Sequence, residues 1–424
     1  MNEKLLQFIW QFQYFNRDQL FTEEGEPLFI EKPGCWNHHQ GPDFSEACIR
    51  LGNTRWVGSI EIHVAASDWF QHQHEKDPSY SRIILHVVWL ADVSITDKYD
   101  QPIPTLVLQS RVPKLLLDRY RKIMDAGVRI PCAGFLPALQ TIGWVGWKER
   151  LAAERLERKS HQILQLFQQT GNSWEALVWR LLAANFGMGN NSLLFEMVAK
   201  NLSCQLLAKH RTQIHQLEAL LMGQANLLND SFEDAYARLL QKEYRFLQKK
   251  YQLKSLALQP AFLRMRPAGF PTLRLAQLAM LIHDSTHLFQ PIIAAEDPDQ
   301  LRQWLQVTAN DYWHYHYRFD DKGLYSPKTL GKQMAENLLI NTAIPVLFAY
   351  GLYQKEYAYQ EKAIEWLSKL PSEKNRVLRE WKQMGIPSSK ALDSQALIEL
   401  TNHYCLTRRC LNCAVGNKIL KNNI

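Results

Sequence analysis

Apolar residues at Leu5, Ile9, Phe12 and Phe15 recur at close to helical spacing, so the chain opens on an amphipathic helix over residues 3–15. Short extended runs follow. Glu26-Pro27-Leu28-Phe29-Ile30-Glu31 predicts a strand ended by Lys32-Pro33-Gly34. Phe44 to Leu51 predicts a second strand, closed by the turn Gly52-Asn53, and Thr54 to Val64 a third. Their closeness predicts a hairpin. Arg82 to Leu90 is almost continuously apolar, the pattern of a strand buried on both faces, and Pro104 to Gln109 predicts a fifth strand. Between the third and fourth strands Ser67 can cap a short helix.

After Pro113 the pattern changes again. Ile130 to Pro137 reads as a linker, and from Trp144 the period is helical throughout. Trp174, Leu177, Val178, Leu181 and Leu182 follow one helix face, with Asn172 placed to cap it and Glu175 at the third position. Further helices are predicted over residues 145–168, 191–222, 230–252, 271–288, 298–314, 330–354, 358–369 and 374–384. The chain therefore divides into a mixed sheet domain over 1–125, a linker over 126–143, a helical domain over 144–400 and a cysteine-containing basic tail over 401–424. The fold class expected is α+β.

With 46% hydrophobic residues in 424, the chain can fill real cores. No run of 18 uncharged apolar residues occurs, so no membrane span is expected. The N-terminus lacks the pattern of a signal peptide, and seven cysteines in such a chain suit a reduced, cytoplasmic compartment. Charge is uneven: residues 1–120 hold 11 Lys and Arg against 16 Asp and Glu, and the remainder holds 38 against 26. An acidic first part beside a basic remainder suits a metal site next to a polyanion-binding surface, and also suits basic helices that only keep a large protein dissolved.

The candidate chemistry lies in Asn37-His38-His39-Gln40-Gly41-Pro42-Asp43-Phe44 and Gly58-Ser59-Ile60-Glu61-Ile62-His63. Strand alternation puts Trp56, Gly58, Ile60 and Ile62 on one face and Val57, Ser59, Glu61 and His63 on the other. If the hairpin forms, Asp43 comes within metal-sharing distance of Glu61. Two carboxylates suit Mg²⁺ or Mn²⁺, and a histidine beside them favours Mn²⁺ or Zn²⁺. Against this stands ordinary turn chemistry at Asp43, and pairing of Glu61 with Arg50 or Arg55 across the hairpin. Asp68 and His72 share a helix face, and with His38, Gln40 and His74 they form a supporting set that can also make a zinc site. His86, inside the buried strand, reads as a sheet-fixing or supporting residue.

Pro42-Asp43 followed by Glu61-Ile62-His63 resembles the PD-(D/E)xK nuclease superfamily, with His63 where that pattern has lysine. The resemblance implies a restriction-endonuclease-like N-terminal domain and a metal-dependent phosphodiesterase. Asp43, Glu61 and His63 would be its catalytic and metal-binding residues. A non-catalytic nucleic-acid-binding or scaffold protein on a degenerate nuclease fold is equally compatible. Over nearly the whole chain, the same strings with Ser67-Asp68-Trp69, Ile84 to Val88, Phe262 to Pro271 and Cys405 to Cys413 resemble an uncharacterised bacterial domain-of-unknown-function family.

Cys405, Cys410 and Cys413 make a second candidate metal site, since Cys-x2-Cys is a zinc-knuckle spacing. A fourth ligand would come from His403, Cys35, Cys48, Cys132 or Cys204. Some PD-(D/E)xK exonucleases tie such a trio to an upstream cysteine around an iron–sulfur cluster, which makes zinc or iron–sulfur the expected cofactor and a metal-stabilised structural protein a third reading. Arg264, Arg266, Arg408 and Arg409 are the candidates for nucleic-acid phosphates, whereas Trp313 and Tyr317 read as core.

Overall fold

The computed structural model describes residues 1–424 apart from 38–39, 98, 140–142 and 422–424. It is α+β, with a curled mixed sheet near the N-terminus followed by a large helical region. Two compact units result. The first comprises Met1–Gly143 with Thr401–Ile424, and the second Trp144–Leu400.

The first unit starts with helix α1 (Glu3–Gln11), capped by the Asn2 side chain on the Leu5 amide. Its end is four residues earlier than the periodicity predicts, because Gln13 adopts a left-handed conformation with φ +54°. Strands β1 (Leu28–Lys32), β2 (Cys35–Trp36), β3 (Phe44–Leu51), β4 (Thr54–Ala65), β5 (Ile83–Leu90) and β6 (Thr105–Val107) form one sheet in the order β1-β3-β4-β5-β6, with β2 alongside β3. The hairpin β3–β4 is antiparallel and places Phe44 opposite Ile60. The β4–β5 and β5–β6 pairs are parallel.

A parallel pair needs a crossover rather than a tight turn. Helix α2 (Asp68–Gln71) and two 3₁₀ turns, His74–Lys76 and Pro78–Tyr80, make that crossover. Ser67 does not cap α2. Its hydroxyl and amide go to Asp92, and Asp68 instead accepts from the Ala65 amide at 3.0 Å, tying the helix to the end of β4. Gly58 is required where β5 begins, since a Cβ there would lie 2.5 Å from both Arg82 O and Ile84 Cγ2.

The alternation along β4 holds only in part. Residues 54–57 run past the start of β5 and are exposed on both faces, so Trp56 is a surface residue. Ile60, Glu61, Ile62 and His63 are all buried. The unit continues with α3 (Lys114–Met124), which lies inside the stretch after Pro113 where the sequence pattern predicted no helix.

The second unit packs α4 (Gly143–Gln169), α5 (Trp174–Gly187), α6 (Ser192–Asn201), α7 (Cys204–His210), α8 (Ile214–Gln224), α9 (Ala235–Tyr251), α10 (Pro271–Asp284), α11 (Gln290–Ala294), α12 (Pro298–Leu305), α13 (Lys332–Leu338), α14 (Ile344–Gln354) and α15 (Tyr357–Lys369) around one apolar core, which α17 (Ala391–Glu399) meets through Ala391 and Leu392, while α16 (Arg376–Gln383) packs on α17. The single helix expected over 191–222 is three, broken where Ser203 caps α7. Ser173, not Asn172, caps α5, because Asn172 is itself left-handed at φ +60°. The helix expected over 298–314 stops at Leu305, and only a 3₁₀ turn, Asp311–His314, follows.

The stretch Lys332–Gln354, joined by a π turn, is long and apolar enough to cross a membrane by length and composition. Most of it is buried inside the second unit, as expected of a core helix. The last helix, α18 (Ala414–Lys421), belongs to the first unit.

Candidate metal centre

Asp43 precedes β3 and Glu61 lies on β4, so the antiparallel pairing brings them together. The Asp43 amide donates to Glu61 Oε2 at 3.0 Å, and Gln7 of α1 donates to Asp43 Oδ1 at 2.9 Å. Glu61 is not paired across the hairpin: Arg55 bonds Glu31 at 2.7 Å, and Arg50 sits over the Phe29 ring. Glu61 Oε1 faces two imidazoles instead, His74 Nε2 at 3.4 Å and His63 Nε2 at 3.7 Å.

The crossover delivers the other histidines. Gln73 takes a left-handed φ of +59°, so the chain turns sharply between His72 and His74 and both rings reach His63. His63 Nε2 lies 3.2 Å from His72 Nδ1, and the His63 and His74 rings stack at 5.2 Å. One ring nitrogen from each of His63, His72 and His74 falls within 4.8 Å of the other two, a spacing at which the three can share a metal ion. His63 is buried, His74 partly so and His72 exposed, so the cluster has a solvent side.

Behind the cluster, His86 Nε2 meets His63 Nδ1 at 2.8 Å, and His86 is fully buried. In the tautomer where His63 Nδ1–H donates to His86, His63 Nε2 keeps its lone pair for the cluster. Trp69 packs edge-on against His74 and His86, and Tyr80 stacks on His74 at 3.8 Å.

Burial, and then the neighbouring Glu61 charge, push the Asp43 carboxyl well above its usual range, and burial pushes Glu61 up. Burial moves the histidines the other way, lowering His63 and His86 to about 3 and lowering His74. The groups are thus unprotonated imidazoles beside carboxyls that resist ionising. Asp43 Oδ2 and His74 Nε2 are buried with no hydrogen-bond partner.

Of the other residues singled out in the sequence, His38 lies outside the described residues. Gln40 is exposed, and its carbonyl accepts from Asn37. Asp68 holds the crossover and is not a cluster ligand. His86, Gln7 and Tyr80 complete the surroundings. Only His86 carried a sequence signal, a histidine inside an apolar strand.

Arg264 and Arg266 are exposed in the second unit. Arg408 is turned inward onto the Ala126 carbonyl, and Arg409 lies over the Tyr404 ring. Trp313 is fully buried in the core of the second unit, with Tyr317 packed against that core. That unit also holds a groove of about 990 Å³, whose lining includes Arg274, Lys328, Lys332 and Lys374 against Glu336 and Glu373.

Residues 3–376 match the family described as Protein of unknown function (DUF2851). No curated protein and no solved structure matches the chain.

Proposed function

Taking as premise that the chain belongs to that family of unknown function, we propose that its first unit is a metal-dependent hydrolase centre acting on phosphodiesters of nucleic acid. The observation that carries this reading is the convergence of His63, His72 and His74 beside Glu61. Three imidazole nitrogens and a carboxylate suit Mn²⁺ or Zn²⁺ better than the Mg²⁺ that two carboxylates alone would take. The residues fit such an ion, because burial keeps His63 and His74 unprotonated and Asp43 Oδ2 is buried with no hydrogen-bond partner. When bound, it supplies charge neutralisation and an acidified water.

The chain's own residues do the rest. His86 orients His63 and fixes its tautomer. Asp43, held by Gln7, has a free oxygen beside Glu61 and is placed to take a proton from water. The resemblance of Pro42-Asp43 and Glu61-Ile62-His63 to PD-(D/E)xK nucleases points to a restriction-endonuclease-like fold and a phosphodiester substrate. The antiparallel hairpin followed by a short helix and a parallel strand supports it. The basic groove supports a polyanion, with the Arg274 Nε buried and unpaired on its wall.

Purified protein incubated with single- and double-stranded DNA and RNA in Mn²⁺, Zn²⁺ or Mg²⁺ is expected to cleave at least one of them. Asp43→Asn and Glu61→Gln are each expected to abolish cleavage, and cleavage unchanged in both would refute the assignment. One observation favours a second reading, a nucleic-acid-binding protein without turnover. His63 stands where the nuclease pattern has lysine, and it is too enclosed to position an attacking water itself. Salt-dependent binding with no cleavage in any metal is the outcome it predicts.

A further inference from the structure

Seven cysteines are free, and three of them are accounted for singly. Cys35 is exposed, Cys48 donates to Glu31 at 3.2 Å, and Cys204 lies 3.6 Å from the Glu175 carbonyl. The other four are together. Cys132, Cys405, Cys410 and Cys413 are all buried and line one space of about 10 Å³, with Ile123 and Tyr404 among its walls. Cys132 comes from the segment after α3, and the trio from the segment that returns after the helical unit.

We propose that these four thiols form a structural thiophilic metal centre, taking a zinc ion or an iron–sulfur cluster, which fastens the returning C-terminal segment into the first unit. The assignment is independent of the hydrolase reading, because it rests on different ligands.

The local backbone is shaped for it. Cys410–Asn412 forms one 3₁₀ turn, which sets Cys410 and Cys413 on the same side, three residues apart. Arg408 enters that turn in a left-handed conformation at φ +55°. Gly416 then presses onto the Cys410 carbonyl so closely that a Cβ there would lie 2.1 Å from that oxygen. That close approach ties the start of α18 to the Cys410–Cys413 turn. No three of the four sulfurs lie within 4.8 Å of one another, so a single zinc ion would draw them in while a cluster would bridge them, and with four thiols either leaves no open position, the form structural centres take.

A dry pocket lined by four thiols has little to gain from being thiol-only. A thiol is a weak donor, and the space offers it no strong acceptor. Zinc and iron–sulfur clusters both replace the four protons with a cationic core bound by thiolates, so the ligand set is shared and only the metal differs.

The test uses the full chain, purified aerobically and anaerobically, with zinc, iron and acid-labile sulfide measured per chain. Zinc is expected in about one equivalent, or iron with matching sulfide and a broad visible absorption band. Metal-edge X-ray absorption on the unmodified protein should show a sulfur shell, at about 2.3 Å for zinc. Cys410→Ser with Cys413→Ser is expected to lower that metal by about tenfold or more, whereas His72→Ala with His74→Ala leaves it in place.

Metal bound only through nitrogen and oxygen would overturn the proposal. So would no sulfur-bound metal even after anaerobic reconstitution with Zn²⁺ or with Fe²⁺ and sulfide, or a sulfur shell unchanged in the double cysteine variant. If that variant does not fold, the X-ray absorption of the unmodified protein decides alone. Failure here leaves the histidine and carboxylate centre untouched, since its ligands carry no sulfur.

Discussion

Two buried acids in this chain sit in opposite surroundings. Glu218, in the core of the second unit, meets only donors: Trp313 Nε1 at 3.0 and 3.1 Å, Asn310 Nδ2 at 2.6 Å and the Tyr236 hydroxyl at 2.8 Å. Glu61, in the first unit, meets one backbone amide and two imidazole nitrogens whose protonation burial suppresses. Burial is similar at both. An acid enclosed by donors is complete and holds helices together. An acid faced by acceptors has only its own proton to offer them, and a cation can take that proton's place, which is how a structural carboxyl and a candidate metal ligand are told apart.

The comparison breaks most visibly at Glu218. Glu218→Ala takes the shared acceptor from three buried donors, of which only Asn310 keeps another bond, to the Tyr236 hydroxyl, and is expected to lower stability by about 3–5 kcal/mol, read from urea unfolding. An effect under about 1 kcal/mol would mean the donors find water. The same acid gives a pH signature. Its carboxyl stands at about 7 in the fold against an ordinary 4.5, chiefly through burial. Its contribution is therefore fully present below about pH 4.5 and is lost as pH rises through about 7, a fall of about 3 kcal/mol. Glu218→Gln should flatten that fall in calorimetry across the window, and an unchanged slope would assign it to other groups.

In the first unit the expected changes concern metal. His86→Ala, which removes support without removing a ligand, is expected to weaken Mn²⁺ or Zn²⁺ binding by about 10- to 100-fold in titration calorimetry. Unaltered affinity would make His86 a sheet residue only. Glu61→Gln should have the opposite sign to the change at Glu218: in metal-free protein it replaces a carboxyl that resists ionising with a neutral amide able to donate to the facing imidazoles, and raises stability by about 1 kcal/mol or less. A large loss there would show that Glu61 is already satisfied. The smallest effect is at Gln73, where Gly relieves the left-handed backbone and adds about 0.5–1 kcal/mol without changing metal affinity.

Much of the first unit is legible in its sequence, since β3, β4 and β5 follow apolar runs bounded by turns. From the hairpin alone Asp43 can be placed near Glu61, and alternation puts Glu61 and His63 side by side. The crossover is harder to read. His72 and His74 meet His63 only because Gln73 turns left-handed, a conformation no local pattern announces for glutamine. Glu218 is similarly hidden: it sits within an apolar helix, and its donors come from residues 236, 310 and 313, which only tertiary packing brings to it. The fourth cysteine shares that difficulty, because Cys132 reaches the C-terminal trio only after the whole helical unit has intervened. The α3, α17 and α18 helices escaped the periodicity, being short segments near Pro113, Pro387 and the cysteine turn, where breakers and thiols interrupt the stripe.

The central claim is that His63, His72, His74 and Glu61 share one metal ion. Anomalous diffraction from crystals of the full chain grown with Mn²⁺ or Zn²⁺ addresses it directly. The account predicts a peak bonded at about 2.0–2.2 Å to a ring nitrogen of each of the three histidines and to a Glu61 oxygen. No peak within bonding distance of these four groups, with His63 and His72 still 3.2 Å apart as they are without metal, would contradict it.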